Sequence, residues 1–224
     1  MGFNVAIDGP AGAGKSTIAK IVAKEKQFIY VDTGAMYRAM AIHFIKKGIA
    51  ATEMDKISEA VNDADVTIEY INGEQQVLLN GENVTPFLRT EEVGNMASAS
   101  SVNGDVRKKL VELQQKLAET ANVVMDGRDI GTCVLPNAQV KVYLTASVDV
   151  RAERRYKELI EKGQEADLEK IKKDIEERDY RDMNRDISPL RQAEDAVLVD
   201  SSNLNIEESA AAILALIDQY KGEM

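Results

Sequence analysis

Short apolar runs recur at Phe3–Ile7, Phe28–Val31, Val123–Met125, Val140–Leu144 and Ala196–Val199, and most of the intervening segments carry apolar residues at a helical period. Runs of that length bounded by polar segments read as buried strands, and their alternation with helices predicts a parallel sheet. One helix is expected from Thr17 to Lys26. Another is expected from Ile206 to Tyr220, opened by Asn205 and Glu208 in the spacing of a capping box. The period changes once. In VTIEYINGEQQVLLNGENVT, Val66 to Thr85, apolar residues alternate at Val66, Ile68 and Tyr70 and again at Val77 and Leu79, with Asn72-Gly73 and Asn80-Gly81 after the two runs. Asn-Gly pairs accept the positive φ angles of a two-residue hairpin, so a small antiparallel meander is expected, inserted beside the main sheet.

Several predicted strands end on chemically loaded residues. Asp8 follows the first, Asp32 and Thr33 the second, Asp126 the third and Asp200 the last. In an open α/β sheet ligands collect at the carboxyl ends of strands. The segment after the first strand makes that concrete, because Gly9, Gly14, Lys15 and Ser16 satisfy G-x-x-x-x-G-K-[ST] between a strand and a helix. The backbone from Gly9 through Pro10, Ala11, Gly12, Ala13 and Gly14 to Thr17 is therefore expected to wrap nucleotide phosphates. Its N–H groups form an anion nest at a helix N-terminus, Lys15 reaches the outer phosphates, and the Ser16 hydroxyl ligates Mg2+.

Composition narrows the partner. With 224 residues, 44% of them hydrophobic, the chain suits one domain with a small appendage. A net charge of −10 argues against a sequence-independent grip on a nucleic-acid backbone, so free nucleotides are the expected ligands. Cys133 is the only cysteine, and neither a signal peptide nor an apolar stretch of membrane-spanning length is evident, so a cytoplasmic location without membrane association is expected. The acidic composition and the lack of an apolar seam make a monomer the default.

Three further clusters bear on a second substrate. In DTGAMYR, Asp32, Thr33, Tyr37 and Arg38 lie on a turn and the first turns of a helix, where Asp32 is either a cap or a ligand group. In MDGRDIGT, Asp126, Arg128 and Asp129 are placed just beyond a strand, where the last two read either as a local ion pair or as groups facing an anion. Arg151, Arg154 and Arg155 open one late helix, and the spacing of Arg178, Asp182 and Arg185 predicts one face of another, with Gly163 as a hinge. His43, set among Ile42, Phe44 and Ile45, reads as a helix residue rather than a catalyst. A GTPase switch would share the phosphate loop, but no Asp-x-x-Gly or Asn-Lys-x-Asp is present. A binding-only nucleotide sensor shares it too, and would not need arginines for a second phosphate. Kinases acting on UMP, AMP or a small alcohol differ only in the acceptor pocket.

GPAGAGKST, DTGAMYR, LRTEEV, MDGRDIGT and RDYRDMNR, in that order, resemble the bacterial cytidylate kinase family over nearly the whole chain. The resemblance implies a three-layer α/β P-loop NTPase fold with a central five-stranded parallel sheet and a single domain over 1–224. It further implies a monophosphate-binding region at 34–107 that carries the β insertion at about 66–85, and a helical lid at 151–190. It implies ATP as co-substrate and CMP and dCMP as acceptors. Position by position, Ser98, Arg107 and Asp129 fall near cytosine, and Thr33, Arg38 and Arg128 near the monophosphate, with Tyr37 among the CMP-binding residues. Arg178, Asp182 and Arg185 fall near the sugar and phosphates. The family often has serine where Thr33 stands and glycine where Ser16 stands. Lys15, Arg128, Arg185, Arg151 and Arg155 are the expected catalytic cations, since a loose phosphoryl-transfer transition state calls for positioning and charge neutralisation.

Overall fold

The computed structural model describes residues 2–222. In chain order the elements are β1 (Asn4–Asp8), α1 (Lys15–Lys26), β2 (Ile29–Asp32), α2 (Thr33–Lys46), α3 (Met54–Val61) and the strands β3 (Val66–Ile71), β4 (Glu74–Leu79) and β5 (Glu82–Asn83). They continue with α4 (Glu91–Ser100), α5 (Gly104–Thr120), β6 (Val123–Gly127), β7 (Val140–Thr145), α6 (Val148–Glu161), α7 (Leu168–Asn184), β8 (Val197–Asp200) and α8 (Ile206–Gly222). The described chain falls into two compact units, one made of residues 2–30 with 120–222, the other of Val31–Glu119.

The first unit is built on the five-stranded sheet, in the order β2-β6-β1-β7-β8. β1 lies between β6 and β7 and pairs with both in parallel, and β7 pairs in parallel with β8. Val5, Ala6 and Ile7 are accordingly wholly buried, as expected for the central strand of a parallel sheet. Ile18 and Val22 of α1 and Ile213 and Ile217 of α8 pack with Val5, Ile7, Val124, Val142 and Leu144 into one core. Each such side chain removed from water contributes roughly 1.5–3 kcal/mol. The capping box before α8 is present in both directions: Asn205 N–H donates to Glu208 Oε2 and Glu208 N–H to Asn205 Oδ1, each at 2.8 Å.

The second unit holds the insertion. Both Asn-Gly pairs make two-residue turns with positive φ, 54° and 80° at Asn72-Gly73 and 51° and 80° at Asn80-Gly81, which sets Ile71 opposite Glu74 and Leu79 opposite Glu82. Val77 and Leu79 are buried. Gln75 clamps the sheet to the start of α2: its Oε1 accepts from Asp32 N–H at 2.8 Å and its Nε2 donates to the Asp32 carbonyl at 3.2 Å. His43 is buried, and its Nε2 lies 3.1 Å from the Ala60 carbonyl. Burial, reinforced by Lys47, lowers its pKa, as suits a packed helix residue.

Candidate active site

The phosphate loop follows β1, and its first residue has to be glycine. Gly9 has φ +149°, and a Cβ there would lie 1.9 Å from the Leu144 carbonyl oxygen of the neighbouring strand. α1 begins at Lys15, two residues before the helix expected from the apolar pattern, because polar first-turn residues leave no periodic signal. Gly14, left-handed at φ 87°, accepts from Ile18 N–H at 3.1 Å, and no side chain caps the helix. Its first N–H groups and the positive end of its dipole are thus available to an anion. Lys15 is buried and donates from Nζ to the Pro10 carbonyl at 2.7 Å. Burial first, and the Arg128 guanidinium second, hold its pKa well below the ordinary lysine value against the pull of Asp126 and Asp8.

Asp126 is not beyond its strand, as the apolar pattern implied, but within it. β6 runs on to Gly127, with Ile7 opposite Asp126 and Asp8 opposite Gly127. The ladder is made by backbone groups and so continues past the last apolar side chain. This placement lets Ser16 Oγ donate to Asp126 Oδ2 at 3.0 Å, while the Tyr30 hydroxyl donates to Asp126 Oδ1 at 2.8 Å. A hydroxyl held at the helix start by a carboxylate, both hard oxygen groups, fits a magnesium ion that takes its other ligands from phosphate and water.

Two ion pairs join the segment just after β6 to the C-terminal end of α7. Arg128 Nε donates to Asp182 Oδ2 at 2.9 Å, and Arg185 Nη2 reaches Asp129 Oδ1 at 3.4 Å. Burial works to raise the Asp182 carboxyl, but Arg128, with Arg178 and Arg185 behind it, holds it below the usual carboxylate range. Arg178, half-buried, and Asp182 share α7, whereas Arg185 does not share their helical face. α7 ends at Asn184, and Arg185 is extended at φ −68° and ψ 145°, with Nε donating to the Ser188 carbonyl at 2.7 Å. A spacing of three aligns residues only while the helix continues.

Arg151 is buried with every nitrogen engaged: Nε donates to the Ala146 carbonyl at 2.9 Å, Nη1 to the Ala11 carbonyl of the phosphate loop at 3.0 Å, and Nη2 to Asp179 Oδ2 at 2.6 Å. It therefore braces the loop from α6 and ties it to α7. Asp179, which sequence spacing did not single out, stands 28 residues away, too far for any helical rule to connect the pair. Removing it leaves a buried guanidinium without its counter-charge. Asp179→Ala is therefore expected to cost about 3–5 kcal/mol, read as a lowered urea midpoint. Arg155 is exposed and pairs with Glu158 at 2.8 Å, while Arg154 Nη2 donates to the Ser201 carbonyl at 2.8 Å. Gly163 ends α6 with φ +70°.

The other acceptor candidates lie in the second unit. Asp32 caps α2, accepting from Ala35 N–H at 2.9 Å, and pairs with Arg89 at 3.2 Å. Thr33 is the first residue of α2, and Arg38 folds back over its opening turn, with Nη1 2.9 Å from where a Cβ on Gly34 would stand. Ser98 is half-buried in α4, Tyr37 half-buried in α2, and Arg107 buried in α5 with its guanidinium carbon 5.9 Å from the centre of the Tyr37 ring.

A family model described as cytidylate kinase matches residues 5–219. The chain is 50% identical over 220 residues to a cytidylate kinase of Caldicellulosiruptor saccharolyticus, covering 98% of this chain and 97% of that one. It is 46% identical over 217 residues to a cytidylate kinase of Bacillus subtilis, covering 97% of each. Among solved structures, a gluconokinase from Sinorhizobium meliloti shares the fold with a TM-score of 0.52 at 14% identity, covering 99% of this chain and 97% of its own. At that identity the likeness speaks to fold alone. No helix among the described residues is long and apolar enough to cross a membrane.

Proposed function

The chain belongs to the cytidylate kinase family, and on that premise we propose that it transfers the γ-phosphoryl group of ATP to CMP or dCMP, giving ADP and CDP or dCDP. The observation that carries the reading is an assembly within one unit. The phosphate loop on β1, the Ser16–Asp126 pair and the arginine–carboxylate set of Arg128, Asp129, Asp182 and Arg185 all gather around the carboxyl ends of β1 and β6.

The chemistry then falls to positioning and charge. Loop amides and Lys15 hold the ATP phosphates, with Lys15 exchanging the Pro10 carbonyl for a phosphate oxygen. Ser16, oriented by Asp126, holds Mg2+, which when bound neutralises charge on the ATP phosphates. Arg155 reaches ATP, and Arg151 keeps the loop's main chain in place through Ala11. Thr33, Arg38, Arg128 and Arg185 bind the acceptor phosphate so that its anionic oxygen approaches the γ-phosphorus, Tyr37 lines the CMP site, and no side-chain nucleophile or obligatory general base takes part. Ser98, Arg107 and Asp129 read the cytosine edge, and Arg178 and Asp182 address the sugar, with Asp182 accepting from a hydroxyl. The region 34–107 acts as the monophosphate-binding part and 151–190 as the lid of a kinase that works as a monomer in the cytoplasm.

A coupled assay of ADP release with ATP, Mg2+ and each common nucleoside monophosphate tests the reading. Turnover is expected with CMP and dCMP. ADP release that does not depend on CMP would leave a nucleotide-binding protein of another kind.

A further inference from the structure

Asp8 has no part in the chemistry described so far, yet it is among the most constrained polar groups of the molecule. It is the last residue of β1, directly before Gly9, and is 4% exposed. Its two carboxylate oxygens accept from consecutive backbone N–H groups across the sheet, Oδ1 from Ile130 and Oδ2 from Gly131, each at 2.7 Å. Those two amides follow immediately on Arg128 and Asp129. They open a short π-helical turn, Ile130–Val134, in which Cys133 and Val134 N–H donate to the Asp129 carbonyl at 2.9 and 3.2 Å, and Leu135 N–H to that of Ile130 at 2.7 Å. A π-helical turn is rare and is held by its surroundings rather than by propensity. Here the Asp8 carboxylate is the side chain that fixes its start.

We infer that Asp8 is a positioning residue for acceptor recognition: by holding the Ile130 and Gly131 amides, it sets the backbone from which Arg128 and Asp129 reach the monophosphate and the base. The inference rests on the function proposed above and adds a residue outside the groups that touch either nucleotide. Ionised, the carboxylate offers an acceptor to each amide, whereas a protonated acid or an amide side chain offers one of them a donor instead. A misplacement of about 1 Å behind a binding group is enough to lower kcat/KM by about 10²-fold.

Charged and titratable groups bear on Asp8 from every side. Lys15 of α1 favours its ionised form, Asp129 disfavours it, and Tyr143 of β7 lies within its field. Burial outweighs the two amide bonds and raises its pKa to about 6. Its hold on the turn is therefore complete above neutral pH and lost as pH falls through about 6.

Asp8→Asn, compared with the parent enzyme on CMP between pH 5 and 8, is the test. Above pH 7 the variant is expected to lose about 10²-fold in kcat/KM for CMP, chiefly through KM for CMP, with KM for ATP within twofold of the parent. The parent-to-variant ratio should shrink toward one below pH 6. Taking the ratio cancels the ionisation of the CMP phosphate, which is common to both proteins. A ratio independent of pH, or an equal rise in KM for ATP, would overturn the inference in favour of a merely structural aspartate. If the variant does not fold, hydrogen exchange on the parent alone decides: protection of the Ile130 and Gly131 amides, corrected for intrinsic rates, should fall with pH through about 6 while that of Cys133 and Val134 holds. Protection that is flat for all four amides overturns it equally. An enzyme inactive on every nucleoside monophosphate would instead sink the function proposed above, so the two failures are distinct.

Discussion

Lys15→Ala is expected to lower turnover of CMP by about 10²–10³-fold, the loss seen when one preorganised donor is removed from a charge-developing transition state. Lys15 supplies the loop's only cationic side chain, and no arginine fixed elsewhere can take the place of an ammonium at the helix start. The same substitution should spare the fold. The buried ammonium titrates well below the ordinary lysine value. Between the two values the native state binds fewer protons than the unfolded chain, so this group makes stability rise with pH across that window, and below it the charged form is a cost to the folded state. Alanine removes that cost together with one hydrogen bond to Pro10. The variant's stability at pH 7 should therefore stay within about 1 kcal/mol of the parent. Urea unfolding and a coupled assay on one preparation measure both quantities. A folded variant with near-parental turnover would remove the loop from the mechanism.

Asp129→Asn should show its effect in selectivity rather than in turnover at large. Cytosine offers an amino donor at N4 where uracil offers an acceptor, and an ionised aspartate can only accept. Asp129 is 5% exposed, so a mismatched partner there is poorly rescued by water. Replacing the carboxylate with an amide places a donor within reach of the N4 amine. Sites built around a hydrogen-bonding group reject an unmatched analogue by roughly 10⁴-fold, and most of that margin between CMP and UMP should disappear. The amide also withdraws a negative charge from Arg185, 3.4 Å away, so some loss common to both nucleotides is expected beside the loss specific to CMP. Arg38→Ala and Arg128→Ala serve as controls, because the monophosphate they are assigned to is the same in CMP and UMP. They should lower kcat/KM for both about equally. If Asp129→Asn kept the preference while Arg128→Ala abolished it, the division between base reader and phosphate holder would be reversed.

Much of this was legible in the order of residues. The strands of the main sheet as segments, the phosphate loop, the paired Asn-Gly turns of the insertion and the capping box before α8 are decided over a few consecutive residues, where apolar runs, glycine geometry, period-two alternation and reciprocal capping act locally. The element ends were less legible. Lys15 and Ser16 precede the apolar face of their helix, Asp126 continues a strand through backbone pairing alone, and Arg185 falls one residue beyond the helix whose spacing would include it. What tertiary structure alone decided is the choice of partners. Arg128 with Asp182, Arg185 with Asp129, Arg151 with Asp179 and Asp8 with the amides of Ile130 and Gly131 join residues 28 to 123 positions apart. Composition shows that such charges exist, but not which of them meet. A buried charge takes the counter-charge or N–H group that the packed sheet and helices bring within about 3 Å, and that distance is set only once the chain has folded.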